Sequence, residues 1–476
     1  MANIEGGSRN NRLRGSGEND VIIGLGGSDV LYGGAGDDIL FGDDSGFTVP
    51  FGFGKDELFG GEGDDVLVGG IGADRLVGGG GDDTLIGGLG DGVRYGLGDG
   101  GDDTFVGGGG LDTAVLTFDR TAAIAIDLSN PRTPAAITAN ARQIGTIAGV
   151  EILRFHGGSG NDVVTGGRFG DTLAGGAGDD RLHGGEGGDR LVGGAGHDVL
   201  DGGAGFDVAS YEDAAAGVTI DLRLAGTAQN TGGAGFDTLS GFEQVDGSAY
   251  DDVLTGSDGA DFLSGGAGGN DRLAGGECAD SFYQGRTGGS APTTTVIAGG
   301  SGDDVATLAG AAGVRDRFIF NGGADADAAH VSGSGRYQLG LGSGEDLVGI
   351  TLGAAEVRAV LGGGVDTVRL ETIAVLPDRW SVPVIADFAT GDNGDRIDLR
   401  AFLKAEAVGL GADGDPFAGH ARLVASNGDT LLEIDRDAGG NTFAFEAVLR
   451  LENAAASAFT AFNFGGFDPV VASIPG

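Results

Sequence analysis

A nine-residue repeat constrains the fold of this chain more than any other feature. Three consecutive copies beginning at residue 15 read GSGENDVII, GLGGSDVLY and GGAGDDILF. A flexible glycine-rich linker has no fixed apolar period, so the pattern argues against one and for a repeat architecture. The frame recurs along the chain over 51–95, 98–115, 157–210, 247–264, 266–283 and 299–307.

Each position of the repeat favours a particular local structure for a physical reason. Paired glycines in the first half permit positive φ and close backbone approach, which predicts a turn. The three residues after the sixth-position aspartate suit a short strand, and the eighth position is nearly always apolar, as in Ile22, Leu31 and Leu40. One such strand cannot bury its leucine alone. We therefore predict a stacked solenoid with two repeats per coil and coils about 4.8 Å apart, so that twenty repeats give roughly ten coils.

The same stacking places each sixth-position aspartate over its equivalent one coil away. Stacked carboxylates require a cation between them, and carboxylate and carbonyl oxygens favour calcium over zinc or copper. The chain has 71 acidic and 28 basic residues and a net charge of −43. This charge argues against nucleic-acid partners and adsorption to anionic membranes, and it is consistent with binding many cations.

The unit resembles the RTX calcium-binding nonapeptide, GGxGxDxUx. The resemblance implies an all-β, right-handed parallel β-roll in which adjacent turns share each calcium ion, with roughly 12 to 18 ions in all. Several repeats depart from the pattern; for example, Gly92 replaces the aspartate, and Phe169 and Cys278 each replace the fourth-position glycine. Sites at block ends are expected to be weaker or empty. The implied ligands are Asp20, Asp29, Asp38, Asp56, Asp65, Asp74, Asp83, Asp103, Asp112, Asp162, Asp171, Asp180, Asp189, Asp198, Asp207, Asp252, Asp261, Asp271, Asp280 and Asp304.

Two interruptions of the repeats share one design. Each runs from a repeat aspartate through an Ile-Asp-Leu segment to a glycine and a glutamate, ending at Glu151 and Glu243. We interpret them as β-rich inserts that widen the coils without calcium. The expected organisation is an N-terminal segment (1–14), three repeat blocks (15–115, 157–210, 247–307), inserts at 116–156 and 211–246, a mostly calcium-free degenerate β-solenoid (308–383), and a C-terminal β cap with an export-signal region (384–476).

The C-terminal region carries a second resemblance. Asp387-Phe388 followed by Asp395-Arg-Ile-Asp398-Leu399 is similar to a segment near the C-termini of proteins exported by type I secretion. The first 15 residues have no apolar segment typical of a cleaved signal, and no apolar run is long enough to span a membrane. We therefore expect an extracellular or cell-surface protein that meets the type I secretion machinery during export.

Enzymatic motifs are missing from the sequence. There is no HExxH zinc-protease motif and no GxSxG nucleophile elbow, and the repeats begin too early for a preceding effector domain. We predict a non-enzymatic structural protein that folds on calcium outside the cell and assembles head-to-tail into a filament, S-layer-like lattice or matrix. The alternatives are a monomeric calcium binder or adhesin, and an enzyme acting on extracellular polysaccharide.

Overall fold

A computed structural model describes most of the chain, as two compact units. The first unit comprises 1–214 and 224–244, and the second comprises 215–223 and 245–476. The described residues are 1–43, 54–70, 72–87, 103–118, 121–130, 133–285, 292–311, 316–352, 355–373, 381–400, 402, 421–435, 445–467 and 469–472. Gly92, where the repeat lacks its aspartate, lies outside them.

Short β-strands make up nearly all regular structure in these residues. The first fifteen are β1 (Asn3–Gly7), β2 (Arg12–Arg14), β3 (Val21–Leu25), β4 (Val30–Ala35), β5 (Ile39–Asp43), β6 (Glu57–Glu62), β7 (Val66–Val68), β8 (Arg75–Gly80), β9 (Thr84–Ile86), β10 (Asp103–Gly109), β11 (Thr113–Thr117), β12 (Ile124–Asp127), β13 (Ala135–Ala139), β14 (Arg142–Ala148) and β15 (Ile152–His156).

The middle of the chain continues in the same way. Its strands are β16 (Val163–Thr165), β17 (Thr172–Ala177), β18 (Arg181–Glu186), β19 (Arg190–Ala195), β20 (Val199–Ala204), β21 (Val208–Ser210), β22 (Thr219–Asp221), β23 (Ala228–Asn230), β24 (Phe236–Ser240), β25 (Gln244–Asp246), β26 (Val253–Thr255), β27 (Phe262–Ser264), β28 (Arg272–Gly276), β29 (Ser281–Gly285) and β30 (Thr294–Ser301).

Longer strands and three single-turn 3-10 helices complete the described residues. The helices are Leu222–Leu224, Ala456–Ala458 and Ala461–Phe464. The strands are β31 (Val305–Gly310), β32 (Arg317–Ala324), β33 (Ala328–Gly333), β34 (Gly335–Ser343), β35 (Leu347–Leu352), β36 (Ala355–Gly363), β37 (Thr367–Ile373), β38 (Val384–Ile385), β39 (Arg396–Asp398), β40 (Ala421–Ser426), β41 (Asp429–Ile434), β42 (Glu446–Leu451) and β43 (Val471–Ala472).

Alternate strands pair in parallel, which gives two repeats per coil as predicted. In the first unit β3 pairs with β5 so that Val21 lies opposite Ile39, eighteen residues on. In the second unit β27 pairs with β29 in the same parallel sense. The eighth-position side chains form apolar columns between the two sheets of each unit, and Ile22, Leu31 and Leu40 are fully buried. The predicted all-β parallel roll is confirmed.

The glycines of the repeat are required where consecutive coils meet. Gly34 has φ of 133° and Gly36 has φ of 96°, both in the region that glycine favours. A Cβ on Gly36 would also lie 2.8 Å from the backbone nitrogen of Asn19 in the preceding coil. Any larger residue here would push the coils apart.

The inserts replace a single parallel strand by an antiparallel group. In the first insert β13 pairs antiparallel with both β12 and β14, and these two join the flanking parallel strands β16 and β10. In the second insert β23 pairs antiparallel with β24, which lies parallel to β20. Both inserts therefore keep one strand in register with the last repeat coil before them.

The last described residues form an antiparallel sheet on the end of the second unit. Strands β40, β41 and β42 pair antiparallel in sequence, and β42 continues the roll by pairing in parallel with β38. The side chain of Asn463 donates from Nδ2 to the backbone oxygen of Asp395 at 2.6 Å, next to β39. Phe388 and Phe459 stack with ring centroids 5.6 Å apart. We call residues 384–472 the C-terminal cap.

Candidate metal sites

The sixth-position aspartates lie inside the molecule. Every one of the twenty predicted ligands is at most 4% exposed. Asp103 is the first residue of β10, and each of the others directly precedes a strand, so the parallel pairing of strands also stacks the aspartates. We call each stacked column of these residues an aspartate ladder.

One carboxylate oxygen of nearly every ladder residue accepts a hydrogen bond from the neighbouring coil. The backbone N–H of Asp20 donates to Oδ1 of Asp38 at 2.7 Å, and that of Asp162 donates to Oδ1 of Asp180 at 2.7 Å. The same bond recurs between successive repeats at 2.6 to 3.1 Å. It fixes the carboxylate and points the second oxygen, Oδ2, towards the glycine turn.

At most rungs of the ladders, the second carboxylate oxygen has no hydrogen-bond donor in the part of the chain that the structure describes. A buried polar atom without a partner is costly, and each case requires an explanation. Within the described residues, the ladder aspartates with a buried and unpartnered Oδ2 are Asp29, Asp38, Asp56, Asp65, Asp83, Asp112, Asp162, Asp180, Asp189, Asp198, Asp207, Asp271, Asp280, Asp304, Asp327, Asp346 and Asp366.

The first glycine of each repeat leaves space beside this oxygen. A Cβ on Gly175 would collide with Oδ2 of Asp180 and would lie 2.8 Å from the carbonyl oxygen of Gly193, one coil on. Gly33 and Gly299 have the same surroundings. Each space is thus lined by a carboxylate oxygen and a carbonyl oxygen, the hard ligands that calcium prefers. No three histidine, cysteine or acidic side chains converge on one point in the described part of the chain, so each site combines carboxylates with backbone oxygens.

Burial makes these carboxylates difficult to ionise by themselves. It raises the pKa of Asp56 and of Asp180 to about 7, and that of Asp271 to about 8. The hydrogen bond from the neighbouring coil acts in the opposite direction, while the adjacent ladder carboxylates raise the pKa further. A bound cation favours the ionised form, so these residues fit a calcium ion.

A few ladder residues have a donor on Oδ2 from within their own turn. The backbone N–H of Gly167 donates to Oδ2 of Asp171 at 2.7 Å. The backbone N–H groups of Ser16, Ser248 and Ser257 donate in the same way. Of the accepting residues, Asp20 and Asp252 lie in the first repeat of a block, where we predict weaker sites, and Asp171 and Asp261 lie in the second repeat.

The ladder continues beyond the repeats that the sequence identifies. Asp304, Asp327, Asp346 and Asp366 each donate their backbone N–H to the next ladder carboxylate, ending at Asp395. The described residues of 308–383, which we expect to be mostly calcium-free, therefore continue the ladder geometry of the repeat blocks. The signal was present in GGADADAAH, whose fourth-position Asp325 takes a positive φ of 73° in place of glycine.

Gln284 is a further candidate ligand that the sequence analysis missed. Its side chain is 3% exposed, and its Oε1 has no hydrogen-bond donor in the described residues. A Cβ on Gly265 would meet both this oxygen and Oδ2 of Asp271. The amide oxygen therefore lies where a glycine carbonyl oxygen lies in other repeats.

Comparison with known families agrees with this geometry. The family model described as the RTX calcium-binding nonapeptide repeat matches residues 5–44, 52–93, 156–191, 174–209, 240–270 and 266–285. The chain carries RTX calcium-binding repeats. RTX repeats bind calcium, and several repeats imply several ions.

The RTX matches also bear on the type of protein. Proteins with RTX repeats are generally secreted and are typically structural or adhesin-like. The RTX repeats therefore indicate a secreted calcium-binding protein. No curated protein matches the chain. Within the described ranges, no helix has the length and apolar character needed to cross a membrane.

Proposed function

We propose that this chain is a secreted structural protein whose RTX rolls fold when calcium becomes available outside the cell. The observation that carries the proposal is the row of buried Oδ2 atoms without donors. Calcium supplies the positive charge that these oxygens lack. The protein prepares the binding site, because the ladder hydrogen bonds orient each carboxylate and the glycines leave room beside it.

Folding and calcium binding are coupled in this proposal. A chain with a net charge of −43 repels itself in a compact state. Binding free energy becomes folding free energy where the site does not exist before folding. Extracellular calcium modules have Kd values of about 10⁻⁴ to 10⁻³ M, so such a chain stays unfolded at cytoplasmic calcium levels and folds after export.

Circular dichroism of the full chain, with calcium and after chelation, tests the coupling. The expected result is a strong β signal at about 10⁻³ M calcium that is lost on chelation and returns when calcium is restored. Magnesium at the same concentration is the matched control, because its smaller octahedral shell suits these mixed carbonyl sites poorly. A β signal that survives chelation unchanged would refute the proposal.

We further propose that copies of the chain assemble head-to-tail. In the described part of the chain, β1 pairs only with β3 and β2 pairs only with β4. Their outer edges are therefore open to pairing. Ile4 and Leu13 at the ends of the apolar columns are only half-buried, unlike the fully buried Ile22 beside Ile4.

The second edge that fits such an assembly is in the C-terminal cap. Strand β43 pairs only with β40 among the described strands, and Val471 on it is 47% exposed. Arg9, Arg12 and Arg14 are exposed on the first coil of a strongly acidic chain, so a second copy is attracted to this coil. Contact between unlike edges propagates into a filament or lattice.

Negative-stain electron microscopy at about 10⁻³ M calcium tests the assembly. Ordered fibres or sheets are expected, and they should disappear in a variant combining Ile4→Lys and Leu13→Lys. The control is Ile39→Lys, which adds the same charge at an exposed strand position away from the first coil. Isolated particles with calcium would reject self-assembly and leave a monomeric calcium binder or adhesin.

A further inference from the structure

Both inserts place a glutamate at the end of an aspartate ladder. The backbone N–H of Asp112 donates to Oε2 of Glu151 at 3.1 Å, and that of Asp207 donates to Oε2 of Glu243 at 2.9 Å. In the repeats this N–H is donated to the next aspartate, as from Asp83 to Asp112 at 3.0 Å. The insert glutamates therefore occupy the position of a ladder aspartate.

The inserts also supply the glycine carbonyl oxygen that a repeat would supply. A Cβ on Gly107 would meet Oδ2 of Asp112 and the carbonyl oxygen of Gly149. A Cβ on Gly202 would meet the carbonyl oxygen of Gly241 and the side chain of Asp207. These are the surroundings of the first glycine in an ordinary repeat.

The backbone of each insert explains why glutamate replaces aspartate. The glycine is five residues before the carboxylate in a repeat but only two residues before it here. Gly149 has φ of 58° and Gly241 has φ of 65°, so both turn sharply in the left-handed region. After this shorter turn, the extra methylene of glutamate extends the carboxylate to the N–H that an aspartate in a full repeat would accept.

Two buried carboxylate oxygens point into these places without a partner. Asp112 and Asp207 are both fully buried, and Oδ2 of each has no hydrogen-bond donor among the described residues. We propose that Asp112 with Glu151, and Asp207 with Glu243, each bind one further calcium ion, together with the carbonyl oxygens of Gly149 and Gly241. Each insert then ends its aspartate ladder with a metal site, contrary to our interpretation of the inserts as calcium-free.

Strand register shows why the ladder stops at this rung in the first insert. On one side of β15, Ile152 lies opposite Thr113, which follows Asp112. On its other side Arg154 lies opposite Thr172, which follows Asp171, so the register has moved by two residues. The next ladder accordingly starts from the N–H of Leu153, which donates to Asp171. Glu151 thus belongs only to the ladder that it ends.

The inference rests on the proposed calcium-dependent roll, and anomalous diffraction separates the two. Crystals of the full chain grown with calcium should give calcium peaks beside Asp112–Glu151 and Asp207–Glu243 as well as in the repeats. Peaks beside Asp180 and its neighbours but not beside the glutamates would overturn this inference alone. No calcium peak anywhere would overturn the proposed function itself.

Native mass spectrometry of the calcium-loaded chain provides a second measurement. Glu151→Gln and Glu243→Gln should each bind one calcium ion fewer than the natural chain, and the double variant two fewer. Glu186→Gln, which removes an exposed carboxylate from a strand of the roll, should leave the ion count unchanged. An unchanged ion count in the folded double variant would contradict the proposal.

Discussion

The C-terminal cap and the RTX repeats neutralise their carboxylates from different sources. In the cap, Arg400 Nε donates to Asp398 at 2.9 Å, and Arg450 Nε donates to Asp429 at 2.8 Å. In the repeats, Asp180 has no arginine or lysine partner among the described residues, and its Oδ2 has no donor there. The cap therefore carries its own cations, while the repeats take theirs from solution.

The pKa values follow this difference. Hydrogen bonds from the Arg400 side chain, opposed in part by burial, lower the pKa of Asp398 to about 2. Burial raises the pKa of Asp180 to about 7. Asp398 is thus stable as an anion without metal, whereas Asp180 needs a proton or a metal ion. The repeats can therefore respond to the calcium concentration in a way that the cap cannot.

The largest expected effect is on the pH dependence of the metal-free chain. Folded pKa values of about 6 for Asp189 and about 7 for Asp180 lie above the ordinary value of 3.8. Their contribution to stability is complete below pH 3.8 and is lost as the pH rises through about 6 to 7. The contribution of Asp398 to stability depends on pH in the opposite direction. It is present above pH 3.8 and is lost only as the pH falls towards about 2.

Circular dichroism of the chelated chain between about pH 7.5 and pH 5 measures this effect. The β signal should increase as the pH falls, because protons neutralise the ladder carboxylates. With calcium present the direction should reverse, because protons compete with calcium for the same oxygens. A chelated chain whose β signal is equal or weaker at the lower pH would break the comparison.

A smaller effect is expected from removing one carboxylate of each kind. Asp180→Asn keeps the oxygen that accepts the N–H of Asp162 but removes the charge that holds the cation. It should lower the free energy of unfolding by about 2.7 kcal/mol at calcium concentrations a hundredfold above Kd, and by much less after chelation. Asp429→Asn in the cap is the matched control. It should have the same small effect with and without calcium, because its arginine partner is present in both conditions.

Filling the space beside a ladder carboxylate should cost about as much as overpacking a core. Gly175→Ala places a methyl group against Asp180 and the carbonyl oxygen of Gly193, so we expect a loss of about 1 to 3 kcal/mol and weaker calcium binding. Gly109→Ala is the control, because nothing lies within 4 Å of its added Cβ. Equal calcium-titration midpoints for the two variants would show that the space beside Gly175 is not a binding site.

The smallest expected effect concerns a ladder residue that is satisfied without metal. Asp237 accepts the N–H of Asp198, but its Oδ2 accepts hydrogen bonds from Tyr211 at 3.2 Å and from Thr231 at 3.0 Å. Tyr211→Phe removes one of these two donors and should cost about 1 kcal/mol. Thermal unfolding at saturating calcium should show this loss, while the number of bound ions stays the same. A changed ion count would mean that Asp237 also binds calcium.

Much of the site was predictable because the repeat is local. A turn of two glycines, an aspartate and a three-residue strand fit within nine residues. The conformation of each unit can therefore be predicted from those nine residues alone. All twenty predicted ligands accordingly lie buried at ladder positions. Asp327 was missed because its repeat has Asp325 at the fourth position, where the conformation requires a positive φ that aspartate can also adopt.

The sequence by itself determined the period, the two-repeat coil and the oxygen chemistry of the ladders, because all three depend on residues close together in the chain. Only the tertiary structure decided which carboxylates gain partners from distant segments. Glu151 meets Asp112, thirty-nine residues away, and Tyr211 meets Asp237, twenty-six residues away within the second insert. Such pairings depend on strand register across the inserts, and register is set by the packing of whole coils rather than by any local pattern.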